Sequence, residues 1–134
     1  MSADPVSFEA GLEVRKRVLG EDHVERSLAR ADSFNRGFQE LVTEYCWGRV
    51  WSAGVALDDR QRSLNNLCIL AALNRPHEFK IHLRGALGNG CNLDEIRETL
   101  IQIAIYAGVP AGVEAFRLAR EVFEEEGVDP DAES

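Results

Sequence analysis

At 134 residues and 14.9 kDa, with 45% apolar and 28% charged residues, the chain has the composition of one soluble globular domain. No apolar run approaches the roughly 18 residues a membrane-spanning helix requires, and the start MSADPVSFEAGLEVRKR puts acids and a proline where a secretory leader needs a basic and then an apolar stretch, so the expected location is cytoplasmic. The formal charge of −8 is concentrated in Glu121, Glu124, Glu125, Glu126, Asp129, Asp131 and Glu133, with no Lys or Arg among them; no basic stripe exists to displace counterions, which excludes nucleic acid as a partner, and no membrane partner is expected.

Apolar residues recur at helical spacing and nowhere alternate with period two, so an all-α chain is expected, a single domain over residues 1–134 with about six helices. Phe8, Leu12, Val14, Val18 and Leu19 predict a first helix stopping near Gly20. Asp22 with Glu25 reads as a capping box opening a second, whose stripe continues through Phe34, Phe38, Leu41, Val42 and Tyr45 to a stop at Trp47-Gly48, followed by a looser aromatic segment through Trp51 and Gly54. Asp58 with Gln61 predicts the next start, ahead of Leu64, Leu67, Ile69, Leu70 and Leu73. Pro76 opens a helix that Gly90 stops; Asn92 with Glu95 caps the following one, which runs to Gly108; Pro110 opens the last. Residues 127–134 are expected to be a disordered acidic tail. Two helices that are apolar nearly all round are hard to bury in so short a chain, and a homo-oligomer resolves that difficulty.

Cys46, Cys68 and Cys91 are odd in number and widely spaced, which fits neither a disulfide framework nor a zinc module, and no His-Glu-x-x-His spacing suggests another metal. The stretch RPHEFKIHLR carries more chemistry: Arg75, Glu78 and His82 lie three and four residues apart and stack on one helix face. Glu78 there can orient the His82 imidazole and raise its pKa for acid catalysis, or simply offset the dipole of the helix N-terminus.

Several blocks resemble the carboxymuconolactone decarboxylase family, in the right order and spanning Phe8 to Glu126: GLEVRKRVLGEDHV, FQELVTEYCWGRVW, LDDRQRSL, HLRGALGNG and AIYAGVPA. The related alkylhydroperoxidase-like proteins carry Cys-x-x-Cys-x-x-x-His where this chain reads Arg75-x-x-Glu78-x-x-x-His82, so a vicinal-thiol peroxidase or disulfide reductase loses its reactive pair here. The resemblance implies an alkylhydroperoxidase-like helical fold, a ring-like homo-oligomer (hexamer or trimer), and decarboxylation of a dianionic lactone, γ-carboxymuconolactone, to the β-ketoadipate enol-lactone without metal or organic cofactor. On that reading His82, Glu44 and Glu78 are the expected catalytic residues, while Arg62, Arg75 and Arg84 are candidates for the substrate carboxylates and Trp47 for a pocket wall. Glu114 departs from the family pattern, where a small polar residue is usual, and a carboxylate there would repel an anionic substrate. A related decarboxylase or lactone-processing enzyme with another substrate, a thiol-dependent peroxidase or disulfide reductase, and a non-catalytic assembly module are the competing expectations.

Overall fold

The computed structural model describes residues 5–132, with side chains from Ser7 onward, and among them every regular element is helical. Two compact units divide at Asp59. No described helix is long and apolar enough to cross a membrane.

In the first unit, α1 (Pro5–Leu19) buries Val14 and Val18, one turn apart, and ends at Gly20, whose φ of 95° few other residues adopt. That glycine is also the N-cap of α2 (Glu21–Ala29). The helix is therefore already running when Asp22 is reached. The expected box does not form, and Glu21 and Asp22 instead place negative charge in the first turn, where the helix dipole favours it. The long helix expected from Asp22 to Trp47 is broken as well. Asp32 Oδ1 accepts from the backbone N–H groups of Phe34 (3.0 Å) and Asn35 (3.1 Å), and Asn35 Oδ1 accepts from that of Asp32 (2.9 Å). These short polar side chains offer the backbone a turn in place of helix.

The chain resumes as α3 (Arg36–Val42) and continues without a break into a π-helical segment, Thr43–Ser52, past the predicted stop at Gly48. Gly48 is a packing residue. A Cβ there would lie 2.3 Å from the Ser7 carbonyl oxygen, and one on Gly11 would lie 2.0 Å from that of Thr43, so the two glycines let α1 and the π segment meet backbone to backbone. Wider turns of this kind are rare and are frequent at functional sites.

In the second unit, α4 (Asp59–Ala72) follows Asp58 and α5 (Pro76–Gly88) opens on its proline. Gly90, at φ 89°, lets the Cys91 N–H reach back to Ala86 O (3.0 Å) and close α5. The Asn92–Glu95 box forms in full, with Glu95 N donating to Asn92 Oδ1 (2.8 Å) and Asn92 N to Glu95 Oε1 (3.0 Å), and it starts α6 (Leu93–Tyr106). The last helix, α7 (Val109–Glu126), ends at Gly127 in a left-handed conformation. Leu67, Phe79, Leu83, Ile96, Leu100, Ala115 and Val122 form a core drawn from all four helices. Past α7, the expected disordered tail begins as a turn, with Val128 N bonded to Phe123 O and Ala132 N to Asp129 O; Glu133 and Ser134 lie outside the described residues.

Candidate active site

Polar side chains in the second unit gather where α4 faces α5. Ser63, fully buried on α4, accepts from Asn89 Nδ2 at 2.9 Å, and one turn further along α4 the Asn66 Nδ2 lies 3.4 Å from Nδ1 of the half-buried His82 on α5. Arg62 precedes Asn66 by four residues and shares its face of α4. The Arg62 Nε is buried and has no hydrogen-bond partner among the described residues. Desolvating a guanidinium N–H without an acceptor is costly, and a carboxylate is the acceptor whose two oxygens match the guanidinium fork.

Of the predicted site residues, His82 and Arg62 are thus drawn to one neighbourhood. Asn66 was not anticipated. Two adjacent asparagines, Asn65 and Asn66, between Leu64 and Leu67 are poor helix formers, and their presence mid-helix was the available signal. Glu78 is exposed in the first turn of α5, suited to the helix dipole, while the His82 Nδ1 faces Asn66.

Arg75 occupies the N-cap position of α5 and donates to Leu73 O (3.1 Å) and Asn74 O (3.5 Å). It borders a cavity of about 300 Å³ lined also by Leu70, Phe79, Pro110, Ala111 and Glu114; His82 is not part of that lining. The repulsion expected from Glu114 is answered locally. Arg117 donates to it twice, from Nε at 2.9 Å and from a terminal nitrogen at 2.5 Å, and this fork holds the Glu114 carboxyl below its ordinary pKa while matching its charge.

Arg84, expected to bind substrate, is already committed: it pairs with Glu125 and, at 3.3 Å, with Glu126, both on α7. Lys80, one turn earlier, pairs with Glu125 (2.9 Å) and Glu121 (3.2 Å). Together these charges clamp α5 to α7. Trp47, expected as a pocket wall, is only 3% exposed; it packs against Trp51 with ring centroids 4.9 Å apart and joins Val14 and Val18 in the core of the first unit. Glu44, half-buried in the first turn of the π segment, lies 3.5 Å from Arg49 as an ion pair.

Burial pushes the Cys46 and Cys68 thiols above their ordinary pKa, with Arg15 partly opposing the effect at Cys46, and buried Cys91 donates to Arg60 O at 3.6 Å. Thiols held protonated are poor nucleophiles, which is the reverse of what thiol-based peroxide chemistry asks of Cys46 and Cys68.

Residues 36–121, on both sides of Asp59, match the carboxymuconolactone decarboxylase family. The chain is 41% identical over 128 residues to the 4-carboxymuconolactone decarboxylase of Acinetobacter baylyi, covering 96% of this chain and 95% of that one. It is 44% identical over 108 residues to the nitrosuccinic acid decarboxylase of Metarhizium robertsii, covering 81% and 75%. A 4-carboxymuconolactone decarboxylase sequence from Pseudomonas putida is 44% identical over 41 residues, covering 31% and 85%.

Proposed function

We propose, on the premise that the chain belongs to the carboxymuconolactone decarboxylase family and is a decarboxylase, that it converts 4-carboxymuconolactone to the β-ketoadipate enol-lactone in the protocatechuate branch of aromatic catabolism. The departing carboxylate sits on a ring carbon conjugated through a double bond to the lactone carbonyl. When the bond to CO2 breaks, its electron pair moves through that double bond onto the lactone oxygen, giving a dienolate that resembles a 2-oxyfuran. Protonation of the carbon next to the carbonyl then yields the enol-lactone. One proton is consumed and nothing is oxidised, so the substrate is its own electron sink and the reaction needs no cofactor.

The protein has to hold two carboxylates, donate to the developing oxyanion and deliver one proton. The observation that carries the reading is the buried, unpartnered Nε of Arg62 on the helix face that also presents Asn66 to His82. Arg62 then holds a substrate carboxylate, and His82 donates to the oxyanion and returns the proton to carbon. Glu78, one turn before His82, is the candidate to resupply that proton from solvent; Arg75 borders a separate cavity that neither His82 nor Arg62 lines and is not assigned to the same bound substrate.

A second reading is favoured by the Metarhizium relative. Nitrosuccinate and 4-carboxymuconolactone share a succinate unit: the leaving carboxylate and a CH2-carboxylate stand on the same carbon, beside a group whose oxygen accepts the electron pair. The same cation, Arg62, and the same oxyanion donor serve both. Purified protein, without added metal or thiol, is given each substrate, and CO2 and product are followed. Turnover of the lactone with the higher kcat/KM is expected; turnover of nitrosuccinate alone moves the assignment to the second reading, and turnover of neither beside an active control enzyme overturns both.

The assembly proposed is a homo-oligomer in the cytoplasm, a hexamer or trimer. Its support is apolar surface on each unit: Phe34, Phe38 and Tyr45 in the first, and Ile105, Tyr106, Val109 and Val113 in the second, with Phe34 97% and Tyr106 85% exposed. Light scattering that gives the monomer mass at micromolar concentration would contradict it.

A further inference from the structure

We propose that the cavity bordered by Arg75 binds a small apolar carboxylate: one ring or short branched chain with a single carboxylate and no ammonium group. The site is separate from the Arg62 face of α4. It uses neither His82 nor Arg62, and neither residue lines the cavity, so it stands independently of the lactone reading.

The void lies where the end of α4 meets the starts of α5 and α7, all within the second unit. Its floor belongs to the core. Phe79 and Ala115 are 1% exposed and Leu118 is 5% exposed, so these walls are fixed by the packing of the helices themselves. Space remains above them because α7 presents Ala111 and Ala115, four residues apart on one face, where longer side chains would fill the gap. About 300 Å³ is the small end of the range for ligand pockets, which suits a single ring better than a larger body.

Arg75 and Glu114 are the charged residues of this lining, and they differ in what holds them. Glu114 is engaged by the two hydrogen bonds of Arg117, which answer its charge. Arg75 is anchored without being neutralised. The end of α4 closes with Asn74 at φ 57°, Asn74 N bonded to Ala71 O (3.2 Å) and Arg75 N to Leu70 O (2.9 Å), the paired bonds of a Schellman turn. From there one terminal nitrogen of Arg75 donates to the Leu73 and Asn74 carbonyls. The Nε and the second terminal nitrogen form the edge whose parallel N–H groups match the two oxygens of a carboxylate, and they meet no acceptor among the described residues. An apolar body then leaves water against Phe79 and Leu118 while its carboxylate takes that edge. An amino acid fits less well, because its ammonium would have to share Glu114 with Arg117. Seven residues of α5, about 10 Å of helix, separate Arg75 from His82, so a ligand seated here leaves the histidine clear.

The test is isothermal titration of the whole chain with 3-phenylpropionate at neutral pH, beside 3-phenylpropionamide, propionate and free phenylalanine. One molecule of 3-phenylpropionate per chain is expected, with Kd below about 1 mM. The amide lacks the charge, propionate lacks the ring and phenylalanine adds an ammonium, and each is expected to bind about tenfold more weakly or worse. Arg75→Gln should weaken 3-phenylpropionate by about tenfold or more, and Ala111→Leu, which fills the void, should abolish binding, while Arg62→Met binds as wild type does. If Ala111→Leu does not fold, the change at exposed Arg75 decides. Absence of saturable binding overturns the proposal, as does binding that Arg75→Gln leaves unchanged. Loss in Arg62→Met alone would put the probe on the other face of the site region and overturn it too, and tighter binding of phenylalanine would overturn the ligand class. A protein that binds the probe through Arg75 yet turns over neither decarboxylation substrate loses its proposed reaction and keeps this site.

Discussion

Arg15 in the first unit and Arg62 in the second each bury an Nε that meets no acceptor, yet their surroundings differ in kind. Arg15 is 6% exposed, and its two terminal nitrogens donate to Thr43 Oγ1 and Gln39 Oε1, both at 3.0 Å. It bolts α1 to α3 and the π segment, and burial lowers its pKa, with the nearby Cys46 acting the other way. Arg62 is only half-buried, and among the described residues no such neutral acceptor is found for it; what shares its helix face is the Asn66–His82 contact. An orphaned donor therefore does not mark a site by itself. It does so when the rest of the side chain is uncommitted and a group capable of proton transfer lies on the same surface.

The largest effect should come from the group at the chemistry. Replacing His82 with Ala is expected to lower kcat on 4-carboxymuconolactone by about 10²–10⁴-fold, the range for a lost proton donor, while the melting temperature stays close to that of wild type. Steady-state kinetics beside thermal denaturation would show it, and a drop in kcat matched by unfolding would contradict it.

Arg15→Met should do the opposite. It removes one buried and one partly buried hydrogen bond and is expected to cost about 1–3 kcal/mol, seen as a Tm lower by roughly 5 °C or more, with kcat per folded molecule unchanged. Loss of activity in a fully folded Arg15→Met protein would erase the distinction between the two arginines.

The clamp between α5 and α7 should show itself through pH. The Lys80 and Arg84 partners hold the Glu125 carboxyl below its ordinary pKa, so the stabilisation is present above the unfolded value and is lost as pH falls through the lowered folded one. Lys80 is raised by Glu125 and Glu121, so its share is present below the ordinary lysine value and is lost as pH climbs through the raised one. Glu125→Gln should therefore lower Tm slightly at neutral pH and not at all in strong acid. A Tm difference independent of pH would show that the charges are not the cause. The smallest effect belongs to Glu114→Ala: because Arg117 already matches that charge, KM should move by no more than about twofold. A KM that falls tenfold would mean that the carboxylate repels substrate after all.

What the sequence made legible were features decided by near neighbours. The Asn92–Glu95 box, the Pro76 start and the Gly90 stop depend on a few adjacent residues and appear where expected. Asp22 failed as a cap because Gly20, two residues earlier, already caps α2, and Gly48 failed as a stop because its close partner, the Ser7 carbonyl, is distant in sequence. The same logic divides the site. His82 stood out by its own chemistry, but Arg84 could be distinguished from Arg62 only by knowing that Glu125 and Glu126, in what reads as a solvated acidic run, fold back along α5. Trp47 carries no mark that separates a core aromatic from a pocket wall, and its place beside Trp51, Val14 and Val18 comes from tertiary packing.

The most direct test of the central claim is the kinetics of Arg62→Met on 4-carboxymuconolactone, measured with its Tm. If Arg62 holds a substrate carboxylate, kcat/KM falls by about a hundredfold or more, the size of a lost charge-assisted bond, while Tm is unchanged or rises because a desolvated charge has been removed. Wild-type kinetics in a folded Arg62→Met protein, or a loss of activity that follows a lower Tm, would make Arg62 a second Arg15 and remove the basis for placing the site on this face of α4.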